Sequence, residues 1–535
     1  MTGVDRTLGD LLARLGSEGR LRGTRRDGHP VATAELGALL VTGVGHDSRA
    51  IRSGMLFVAV PGLHTDGHDH ASAAVEAGAA GVLVERILPG VAAPQVVVDD
   101  ARRALASAAA WWYGDPSHEL TVIGITGTDG KTTTAYLAVA ALEAAGRRTG
   151  MIGTIATRIG GRTEAHPEHA TTPESPDLQA TLRAMVDAGD EIAVVETTSH
   201  GLALQRVASV AYDVAILTNL SHEHLELHGT WEAYRDAKLM LFDRLREART
   251  IHKPRPVPAS AIVNLDDPSA GAFIGTARDA GARVVTYGTE PAADIRATSV
   301  VEDGDGLRAA VAGLAGDDPI QLRLAGRFNV HNALAVVALG LALDLDPVAV
   351  RRGLAALAGV PGRMERIDAG QPFGVVVDFA HSPASLSTVL DLLAPAAAAR
   401  GGGLIAVFGS AGERDTAKRP QMGRIAGERA RLVVVTDEDP RGEDRDSILD
   451  AIARGAESAG RRRGQDLQVI ADRRAAIAAA FEAARPGDIV LLAGKGHERS
   501  IIGPDGPQAW DEHAVAVELL HELGYTAAAR PTSGP

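Results

Sequence analysis

The sequence contains no cysteine, few aromatic residues and no surplus of basic charge. The absence of cysteine excludes disulfide bonds, thiolate metal ligands and a cysteine nucleophile, and it is compatible with a reducing compartment. The 54 basic and 68 acidic residues give a formal net charge of -14, so no general positive surface is available for nucleic acid or an anionic membrane. Aromatic residues make up only 3% of the chain, which favours close packing of alanine-rich helices on sheets.

Long hydrophobic runs are also lacking. The strongest apolar run, from Ala333 to Leu343, is too short to cross a bilayer. The residues from Met1 to Leu15 do not contain the apolar core of a signal peptide. We therefore expect a cytoplasmic monomer that acts on small molecules, without membrane insertion and without nucleic acid as a partner.

The length of 535 residues exceeds what one hydrophobic core usually serves, so several domains are expected. Short β-branched runs alternate with alanine-rich helical stretches, which predicts the α/β class with largely parallel sheets. A Gly-Asp-Pro-Ser turn ending at Ser117 indicates one boundary, and Val360-Pro361-Gly362 indicates another. The predicted domains are 1–117, 118–360 and 361–535, with strands that include 192–196, 214–218 and 260–264 in the second domain.

A phosphate-binding loop is predicted within Val122 to Thr134, between a β-branched strand and a helix. Gly127 and Gly130 allow successive backbone N–H groups to point at one anion, Lys131 can reach phosphate oxygens, and the Thr132 hydroxyl suits Mg²⁺. A strict Walker A motif would need glycine where Ile125 stands. A glycine-rich turn that carries a lysine by chance is the alternative, but the strand-loop-helix context favours ATP.

Metal-ligating residues follow two further predicted strands. Glu196 ends one of them, where a carboxylate can hold Mg²⁺. His222, His224 and His228 lie in one short loop after the next, and Lys238 follows. Three histidines so close suggest zinc or an ordinary surface loop as rivals, whereas a nucleotide and hard oxygen ligands favour magnesium.

Several motifs occur in an order that resembles the Mur ligase family, the ATP-dependent amide-forming enzymes of peptidoglycan precursor synthesis. They are T-G-T-D-G-K-T-T, A-T-T-P-E-S-P-D-L-Q, E-T-T-S-H-G-L, T-N-L-S-H-E-H-L-E-L-H-G, G-R-F-N-V-H-N, P-G-R-M-E, D-F-A-H-S-P and A-G-K-G-H-E. The likeness includes D-S-R at Asp47 to Arg49 and covers nearly the whole chain. It is closest to the members that add a diamino acid to UDP-MurNAc-L-Ala-D-Glu.

This resemblance implies a three-domain Mur ligase architecture. The N-terminal domain would bind UDP-MurNAc, the central P-loop-type domain would bind ATP, and the Rossmann-like C-terminal domain would bind the amino acid. ATP would convert the D-Glu γ-carboxylate into an acyl phosphate, which the amine then displaces. Domain closure would exclude the water that hydrolyses this intermediate.

The resemblance also implies roles for individual residues. Lys131, Glu196, His224 and Lys238 would be catalytic, with Thr132 and Glu196 on one Mg²⁺ and His224 and Lys238 on a second. In the family the lysine matching Lys238 is carbamylated by CO₂, and an unmodified Lys238 would be an ordinary helix lysine that repels Mg²⁺. The expected ATP contacts are Gly127, Thr128, Asp129, Gly130, Lys131, Thr132, Thr133, Asn332, Arg363, Asp378 and His381. The expected UDP-MurNAc-dipeptide contacts are Ser48, Thr171, Thr172, Thr198 and Arg206.

The diamino acid would be chosen by the third domain, where the sequence departs from the family pattern. Members that add diaminopimelate carry D-N-P-R, whereas this chain has Glu438, Asp439, Pro440 and Arg441. Arg414 and Arg441 could clamp the distal carboxylate of meso-diaminopimelate, since guanidinium forks suit carboxylates. The adjacent acids would instead favour the terminal ammonium of lysine or ornithine, so these remain alternatives. Gly494 and Glu498 match positions that bind the same amino acid.

Smaller departures from the family pattern would affect the fine geometry of the site. Asp129 replaces an asparagine common in the phosphate loop, E-H-L-E replaces D-H-L-D, and Leu204 stands where a substrate-binding glutamine is often found. Folylpolyglutamate synthases and other Mur enzymes share the ATP core, but the D-S-R-bearing first domain and G-K-G-H-E argue against both. A P-loop kinase or NTPase leaves Lys238 and the third domain unexplained. A non-catalytic regulator would tolerate loss of Lys131, Glu196 or His224, and all three are present.

Overall fold

The computed structural model describes residues 6–62, 65–165, 170–221, 228–303 and 306–526. The chain forms two compact units. The first comprises Met1–Leu322 and Arg327–Leu357, and the second comprises Arg323–Gly326 and Ala358–Pro535. The predicted domain boundaries after residues 117 and 360 remain predictions.

The first unit begins with a six-stranded sheet. Its strands, in spatial order, are His29–Pro30, Leu21–Arg26, Gln95–Val98, Gly81–Val84, Met55–Val58 and Gly43–Gly45. The last four run parallel, and Leu21–Arg26 pairs antiparallel with Gln95–Val98. Helices pack on both faces of this sheet through two clusters of apolar side chains. The helices are Leu8–Ser17, Thr33–Leu36, Ala71–Glu76 and Ala101–Trp112. A short pair, Arg6–Thr7 with Leu40–Val41, lies beside them.

An eleven-stranded sheet forms the rest of the first unit. Its order is Arg162–Ala165, Ala156–Ile159, Thr149–Ile152, Ile192–Glu196, Thr121–Thr126, Val214–Leu217, Ser260–Asn264, Arg283–Gly288, Ile295–Asp303, Gly306–Ala312 and Ile320–Leu322. The inner strands are parallel and the two ends are antiparallel. The helices are Lys131–Ala144, Ser175–Ala188, Ser199–Ala203, Trp231–Asp243, Leu245–Ala248, Ala270–Asp279, Phe328–Ala342 and Pro347–Ala356.

Strand register sets the position of the phosphate loop. Ile125 pairs with Glu196 on one side and with Ile216 on the other. These three strands are parallel, so the residues after them meet at one edge of the sheet. The phosphate loop, Glu196 and Thr218 therefore lie together, although they are far apart in the chain.

The second unit contains a six-stranded sheet with helices on both faces. The order is Glu365–Ile367, Gly374–Asp378, Ile489–Ala493, Leu404–Phe408, Leu432–Val435 and Leu467–Val469, with only the first strand antiparallel. One face packs against Pro383–Ala399, Lys418–Arg429 and Arg445–Ser458, and the other against Arg473–Ala483 and Glu512–Glu522. A hairpin joins Ser500–Gly503 to Gly506–Ala509. These layers confirm the predicted α/β class.

A search of the helices among the described residues finds none that is both long enough and apolar enough to span a bilayer.

Candidate active site

The phosphate loop requires glycine at two positions. Gly127 has a φ of 148°, and a Cβ there would lie 1.9 Å from the Thr218 hydroxyl oxygen. Gly130 has a φ of 81°, and its Cβ would lie 2.4 Å from Asn332 Oδ1. Other residues would both strain the backbone and clash with these polar atoms. The two glycines therefore let the loop pass close to the neighbouring strand and helix.

The loop is fastened to the strand beside it. The Thr128 amide donates to the Asn219 carbonyl at 2.8 Å, and the Asp129 amide donates to Asn219 Oδ1 at 2.9 Å. The Thr218 hydroxyl donates to the Asp129 carbonyl at 2.6 Å. Since Asp129 takes part through its backbone, these contacts do not depend on asparagine at that position. Thr218 and Asn219 were not predicted as site residues, although Thr218 ends a predicted strand and Asn219 directly follows it.

Lys131 and Lys238 converge on the Gly127 carbonyl oxygen. Lys131 Nζ donates to it at 2.9 Å and to the Thr128 carbonyl at 2.7 Å. Lys238 is 1% exposed, and its Nζ donates to the Gly127 carbonyl at 2.8 Å. The Lys238 Nζ also lies 4.5 Å from the centre of the Tyr234 ring, within cation–π range. Lys238 is therefore a buried neighbour of the phosphate loop rather than a solvated helix residue.

Glu196 is fully buried and receives several donors. The Thr132 hydroxyl donates to its Oε2 at 2.8 Å, and the Thr154 hydroxyl does so at 3.0 Å. The Thr154 amide donates to Oε1 at 3.0 Å. The Thr132 hydroxyl and the Glu196 carboxylate are hard oxygen donors side by side, which fits one Mg²⁺. Thr154 was not predicted, because no motif marks the strand end that places it here.

The histidine-rich loop that suggested zinc as a rival metal lies only partly within the described part of the chain. There, no three histidine, aspartate or glutamate side chains are grouped so as to hold a metal ion. His222 and His224 lie outside the described residues. The His228 ring centre lies 5.7 Å from that of His200 and 5.5 Å from that of Tyr234, which places it in an aromatic cluster.

The predicted dipeptide-binding residues of the central sheet lie beside Glu196. The Thr172 hydroxyl donates to the Glu196 carbonyl at 2.9 Å and lies 3.0 Å from the Thr198 hydroxyl. Arg206 Nη1 donates to the Thr172 carbonyl at 2.9 Å. The Thr171 hydroxyl lies 3.0 Å from that of Thr154, which in turn contacts Glu196. This chain of hydroxyls connects the predicted substrate residues to the predicted metal ligand.

Three further predicted residues of the first unit have local structural roles. Thr133 is buried in the first turn of the helix Lys131–Ala144. Asn332 Oδ1 accepts from the Thr134 hydroxyl at 3.3 Å. Ser48 opens a short 3₁₀ helix that Asp47 caps, and hydrogen bonds from Arg49 lower the pKa of Asp47 to about 2.

The predicted nucleotide contacts of the second unit surround Phe379. The Arg363 guanidinium lies 4.6 Å from the Phe379 ring centre, and the His381 ring centre lies 4.5 Å from it. The His497 ring centre follows at 5.0 Å. Burial, together with the nearby positive charge of Arg363, lowers the pKa of His497 to about 3, so this imidazole is neutral at pH 7. The Asp378 carboxylate accepts from the Ala380 and Met364 amides, both at 2.8 Å. It thereby holds the turn after its own strand next to the segment that carries Arg363.

The predicted amino-acid-binding residues form a second cluster in this unit. Lys495, which was not predicted, is fully buried and lies 2.8 Å from Asp439 Oδ1 and 2.6 Å from Glu498 Oε2. The nearby Glu438 is 6% exposed, and burial raises its pKa. A Cβ on Gly494 would lie 3.1 Å from Glu438 Oε2. The only signal for Lys495 in the sequence was its place within G-K-G-H-E.

The remaining members of this cluster are held through the backbone or exposed. Arg441 follows Pro440, has a φ of 55°, and its amide donates to the Ile502 carbonyl at 2.8 Å. The hairpin Ser500–Gly503 is thereby tied to the loop that carries Asp439. Arg414 is exposed. The structure thus brings Glu438, Asp439, Gly494 and Glu498 together around Lys495.

Comparison with protein families gives three matches along the chain. A model described as the Mur ligase family catalytic domain matches residues 40–113. The Mur ligase middle domain matches residues 125–340, and the Mur ligase glutamate ligase domain matches residues 362–496.

Curated relatives agree with these matches. A UDP-N-acetylmuramyl-tripeptide synthetase of Roseiflexus sp. (strain RS-1) is 48% identical over 91% of this chain and 95% of its own length. A UDP-N-acetylmuramoyl-L-alanyl-D-glutamate--2,6-diaminopimelate ligase of Geobacter metallireducens is 42% identical over 91% of this chain and 95% of its own length.

Solved structures include a ligase with the same diaminopimelate name. It is 28% identical, has a TM-score of 0.63, and the match covers 98% of this chain and 100% of the other. A Mycobacterium tuberculosis folylpolyglutamate synthase, 20% identical with a TM-score of 0.57 over 78% of this chain and 94% of its own, shares the fold.

Proposed function

The chain belongs to the Mur ligase family, and we propose that it adds meso-2,6-diaminopimelate to the D-Glu γ-carboxylate of UDP-MurNAc-L-Ala-D-Glu. It is an ATP-dependent amide ligase of the MurE type and acts in peptidoglycan precursor synthesis. The observation that carries the assignment of its residues is the meeting of the phosphate loop, Glu196 and Lys238 at one sheet edge. Its substrates are small molecules that occur in the cytoplasm, where we place this protein as a monomer.

The reaction has two steps. A γ-carboxylate oxygen attacks the γ-phosphorus of ATP, the bond to the bridging oxygen breaks, and ADP leaves. The amine then attacks the acyl carbon, forms a tetrahedral oxyanion and loses one proton, and phosphate departs with its electron pair. ATP is needed because a carboxylate is too poor an electrophile for an amine. The protein would contribute positioning and electrostatic stabilisation rather than a covalent intermediate.

The Thr128 and Asp129 amides already donate to Asn219, so the phosphate loop would bind ATP mainly through the backbone amides at the start of the helix that begins at Lys131. Lys131 would exchange its contacts with the Gly127 and Thr128 carbonyls for phosphate oxygens. Gly127, Thr128, Asp129, Gly130, Thr133 and Asn332 would complete this contact. Arg363, Asp378 and His381 are proposed as further nucleotide contacts. The ring of Phe379 holds the Arg363 guanidinium in a defined orientation for that contact.

Thr132 and Glu196 would hold one Mg²⁺. A second would be held by His224 and by a carbamate on Lys238, formed from CO₂. Bound Mg²⁺ would neutralise negative charge that develops on the transferred phosphoryl group. Thr154 orients the Glu196 carboxylate through two hydrogen bonds, so the Thr132 hydroxyl is left to turn toward a metal ion.

Thr171, Thr172, Thr198 and Arg206 would bind the dipeptide end of the UDP-linked substrate, and Ser48 would bind its nucleotide end. The hydroxyl chain from Thr171 through Thr154 to Glu196 supports this proposal, because a carboxylate bound by Thr171 would lie near the proposed metal ligand. Arg206 is held by Glu174, 2.8 Å from its Nε, and by the Thr172 carbonyl.

Meso-diaminopimelate is supported by Arg441 and Arg414, which suit a distal carboxylate, and by the names of several relatives. Glu438, Asp439, Pro440, Gly494 and Glu498 would form the rest of this site. Lysine or ornithine is the second candidate. It is favoured by the buried Glu438, whose Oε2 has no hydrogen-bond partner among the described residues.

The test measures phosphate release from ATP with UDP-MurNAc-L-Ala-D-Glu and each diamino acid in turn. We expect meso-diaminopimelate to stimulate release and to yield the UDP-linked tripeptide by mass spectrometry. Turnover with lysine or ornithine but not with diaminopimelate would overturn the substrate assignment. Release that no diamino acid stimulates would overturn the ligase and leave a simple NTPase.

A further inference from the structure

Lys495 occupies an unusual position in the second unit. It lies one residue beyond Gly494, which follows the strand Ile489–Ala493, and its side chain is fully buried. Its Nζ donates to Asp439 Oδ1 at 2.8 Å and forms an ion pair with Glu498 Oε2 at 2.6 Å. The same Asp439 oxygen accepts from the Ile502 amide at 2.9 Å. The Lys495 ammonium therefore connects its own segment, which includes Glu498, to the loop that carries Asp439, and Asp439 in turn accepts from Ile502.

The charges of Lys495, Asp439 and Glu498 do not cancel. Lys495 carries one positive charge, and Asp439 and Glu498 each carry a negative charge when ionised. A buried ion is costly unless it is paired and hydrogen-bonded, so Asp439, with Lys495 and the Ile502 amide on one oxygen, is matched inside the protein. Glu498 is more exposed than Asp439, at 29% against 9% of its side chain, so it can still accept a ligand's ammonium.

The neighbouring groups add further charges of both signs. Glu438 is buried, and burial raises its pKa while Lys418, Lys495 and Arg473 oppose that rise. Burial likewise raises the pKa of Glu498 against the attraction of Lys495. Without Lys495, three carboxylates would face one another in a site of low polarity. Such a cluster would attract a second cation strongly and would repel a carboxylate.

We propose that Lys495 is a positioning residue that determines which diamino acid the site accepts. It neutralises Asp439 and orients Glu498, so that the site receives an ammonium and a carboxylate together rather than an ammonium alone. The zwitterionic distal end of diaminopimelate has this pair of charges, whereas the distal end of lysine or ornithine is a cation. Asp439 thus does not provide the free anion that the sequence suggested. This inference rests on the function proposed above.

The test is a double-mutant cycle on Lys495→Met and Asp439→Asn. The measured quantity is the ratio of kcat/KM for meso-diaminopimelate to kcat/KM for lysine. Lys495→Met leaves the Asp439 charge unpaired, and we expect the ratio to fall by about tenfold or more. Asp439→Asn alone leaves Lys495 paired only with Glu498 and makes the net charge of the site less negative. We expect the ratio to rise by about threefold or more.

The double variant separates charge from packing. The asparagine side chain introduced by Asp439→Asn keeps an oxygen for the Ile502 amide. The double variant also restores the net charge that Lys495, Asp439 and Glu498 carry together in the wild type when ionised. We therefore expect the ratio to return to about the wild-type value. If Lys495 had only a structural role, Lys495→Met would leave a packing defect that Asp439→Asn cannot repair. Absence of this recovery would overturn the proposal.

The proposal can be tested even without the single variant Lys495→Met. If Lys495→Met does not fold, Asp439→Asn and the double variant still test the proposal, because adding Lys495→Met to Asp439→Asn must lower the ratio by about threefold or more. An unchanged ratio between these two would overturn it. KM values for ATP and for the UDP-linked substrate should remain within about twofold of wild type in every folded variant.

The matched control is Arg431→Met. Arg431 pairs with the buried Asp488 at the other end of the strand Ile489–Ala493, so its loss also breaks a partly buried ion pair of this unit. We expect a lower thermal midpoint with an unchanged substrate ratio. A wild-type protein that no diamino acid stimulates would refute the proposed function itself. If the wild type is a ligase but the ratio of kcat/KM values is the same in all variants of the cycle, only the role of Lys495 is refuted.

Discussion

At the scale of single residues, the convergence of Lys131 and Lys238 on one carbonyl oxygen has the clearest chemical consequence. Both ammonium groups lie within 2.9 Å of the Gly127 carbonyl oxygen, and Lys238 is almost fully buried. Two cations so close repel each other in a site of low dielectric. Conversion of Lys238 to a carbamate would replace one of these positive charges by a negative one and would create an oxygen ligand for Mg²⁺. The burial of Lys238 supports this modification.

Lys238→Ala is expected to lower kcat by about a hundredfold or more, because it removes a group that would hold the metal at the transferred phosphoryl group. Added formate or acetate should restore part of the activity by supplying a small carboxylate. Enzyme equilibrated with ¹³CO₂ should show a carbamate signal by NMR that the variant lacks.

Lys253→Ala is the control for this experiment. Lys253 is also buried and donates to two backbone carbonyls, but its carboxylate partner is Asp213, away from the phosphate loop. Its loss should reduce stability without rescue by carboxylates. Full activity of Lys238→Ala would contradict the proposed metal role.

At the scale of elements, the register of three parallel strands explains the unusual spacing of the phosphate loop. Ile125 is fully buried inside a strand and pairs on both sides, so the strand continues to Thr126. The turn occupies only the residues between that strand and the helix that begins at Lys131. A glycine at position 125 is therefore not needed, because the close approach occurs at Gly127 and Gly130.

Gly127→Ala is expected to weaken ATP binding by about tenfold or more, since the added methyl group would meet Thr218 and displace the loop amides. The measurement is titration with a non-hydrolysable ATP analogue by calorimetry.

Gly146→Ala provides a matched control. Gly146 also has a positive φ, 77°, but none of the described atoms lies within 4 Å of its Cβ position. It should cost about 1 kcal/mol of stability for the strained backbone and leave ATP affinity unchanged. Equal losses of affinity in both variants would refute the proposed role of the close approach.

At the scale of the whole molecule, the two compact units each have their own sheets and hydrophobic clusters. The loops at the carboxyl ends of the second unit's strands are braced by ion pairs, among them Arg419 with Glu443. Arg419 has only 3% of its side chain exposed, and Glu443 also accepts from the Glu413 amide at 2.9 Å.

Stability should therefore depend on pH through Glu443. The Arg419 hydrogen bond and the Glu413 amide lower the pKa of Glu443 from 4.5 to about 2. A carboxylate with a depressed pKa stabilises the folded state above its unfolded pKa, and this contribution is lost as the pH falls from about 4.5 to 2. Glu443→Gln should lower the unfolding free energy at pH 7 by about 1 kcal/mol.

Urea unfolding between pH 7 and pH 3 checks this prediction. The difference between wild type and Glu443→Gln should be constant above pH 5 and should shrink below it, because the wild-type carboxylate becomes protonated. A difference that grows as the pH falls would contradict the assigned direction of the pKa shift.

Much of the fold could be predicted from local sequence patterns. The strands Ile192–Glu196 and Ser260–Asn264 lie where β-branched runs predicted them, and the phosphate loop lies between a strand and a helix as expected. The strands Thr149–Ile152 and Arg283–Gly288 were not predicted. Thr149–Ile152 is short and contains a glycine, so its pairing with neighbouring strands stabilises it more than its own sequence does. Arg283–Gly288 contains the β-branched run from Val284 to Thr286, which is a local signal that could have predicted it.

The sequence by itself determined the α/β class, the order of the motifs and the family, because these depend on residue types at short spacing along the chain. Tertiary structure alone decided which groups share a charge or a hydrogen bond. Thr154 reaches Glu196, and Lys495 reaches Asp439 across 56 residues of sequence. Such partners are brought together by strand register, which is set by the burial of whole sheets and leaves no local motif. For that reason the sequence suggests that Asp439 is a free acid, whereas in the fold Asp439 forms an ion pair with Lys495.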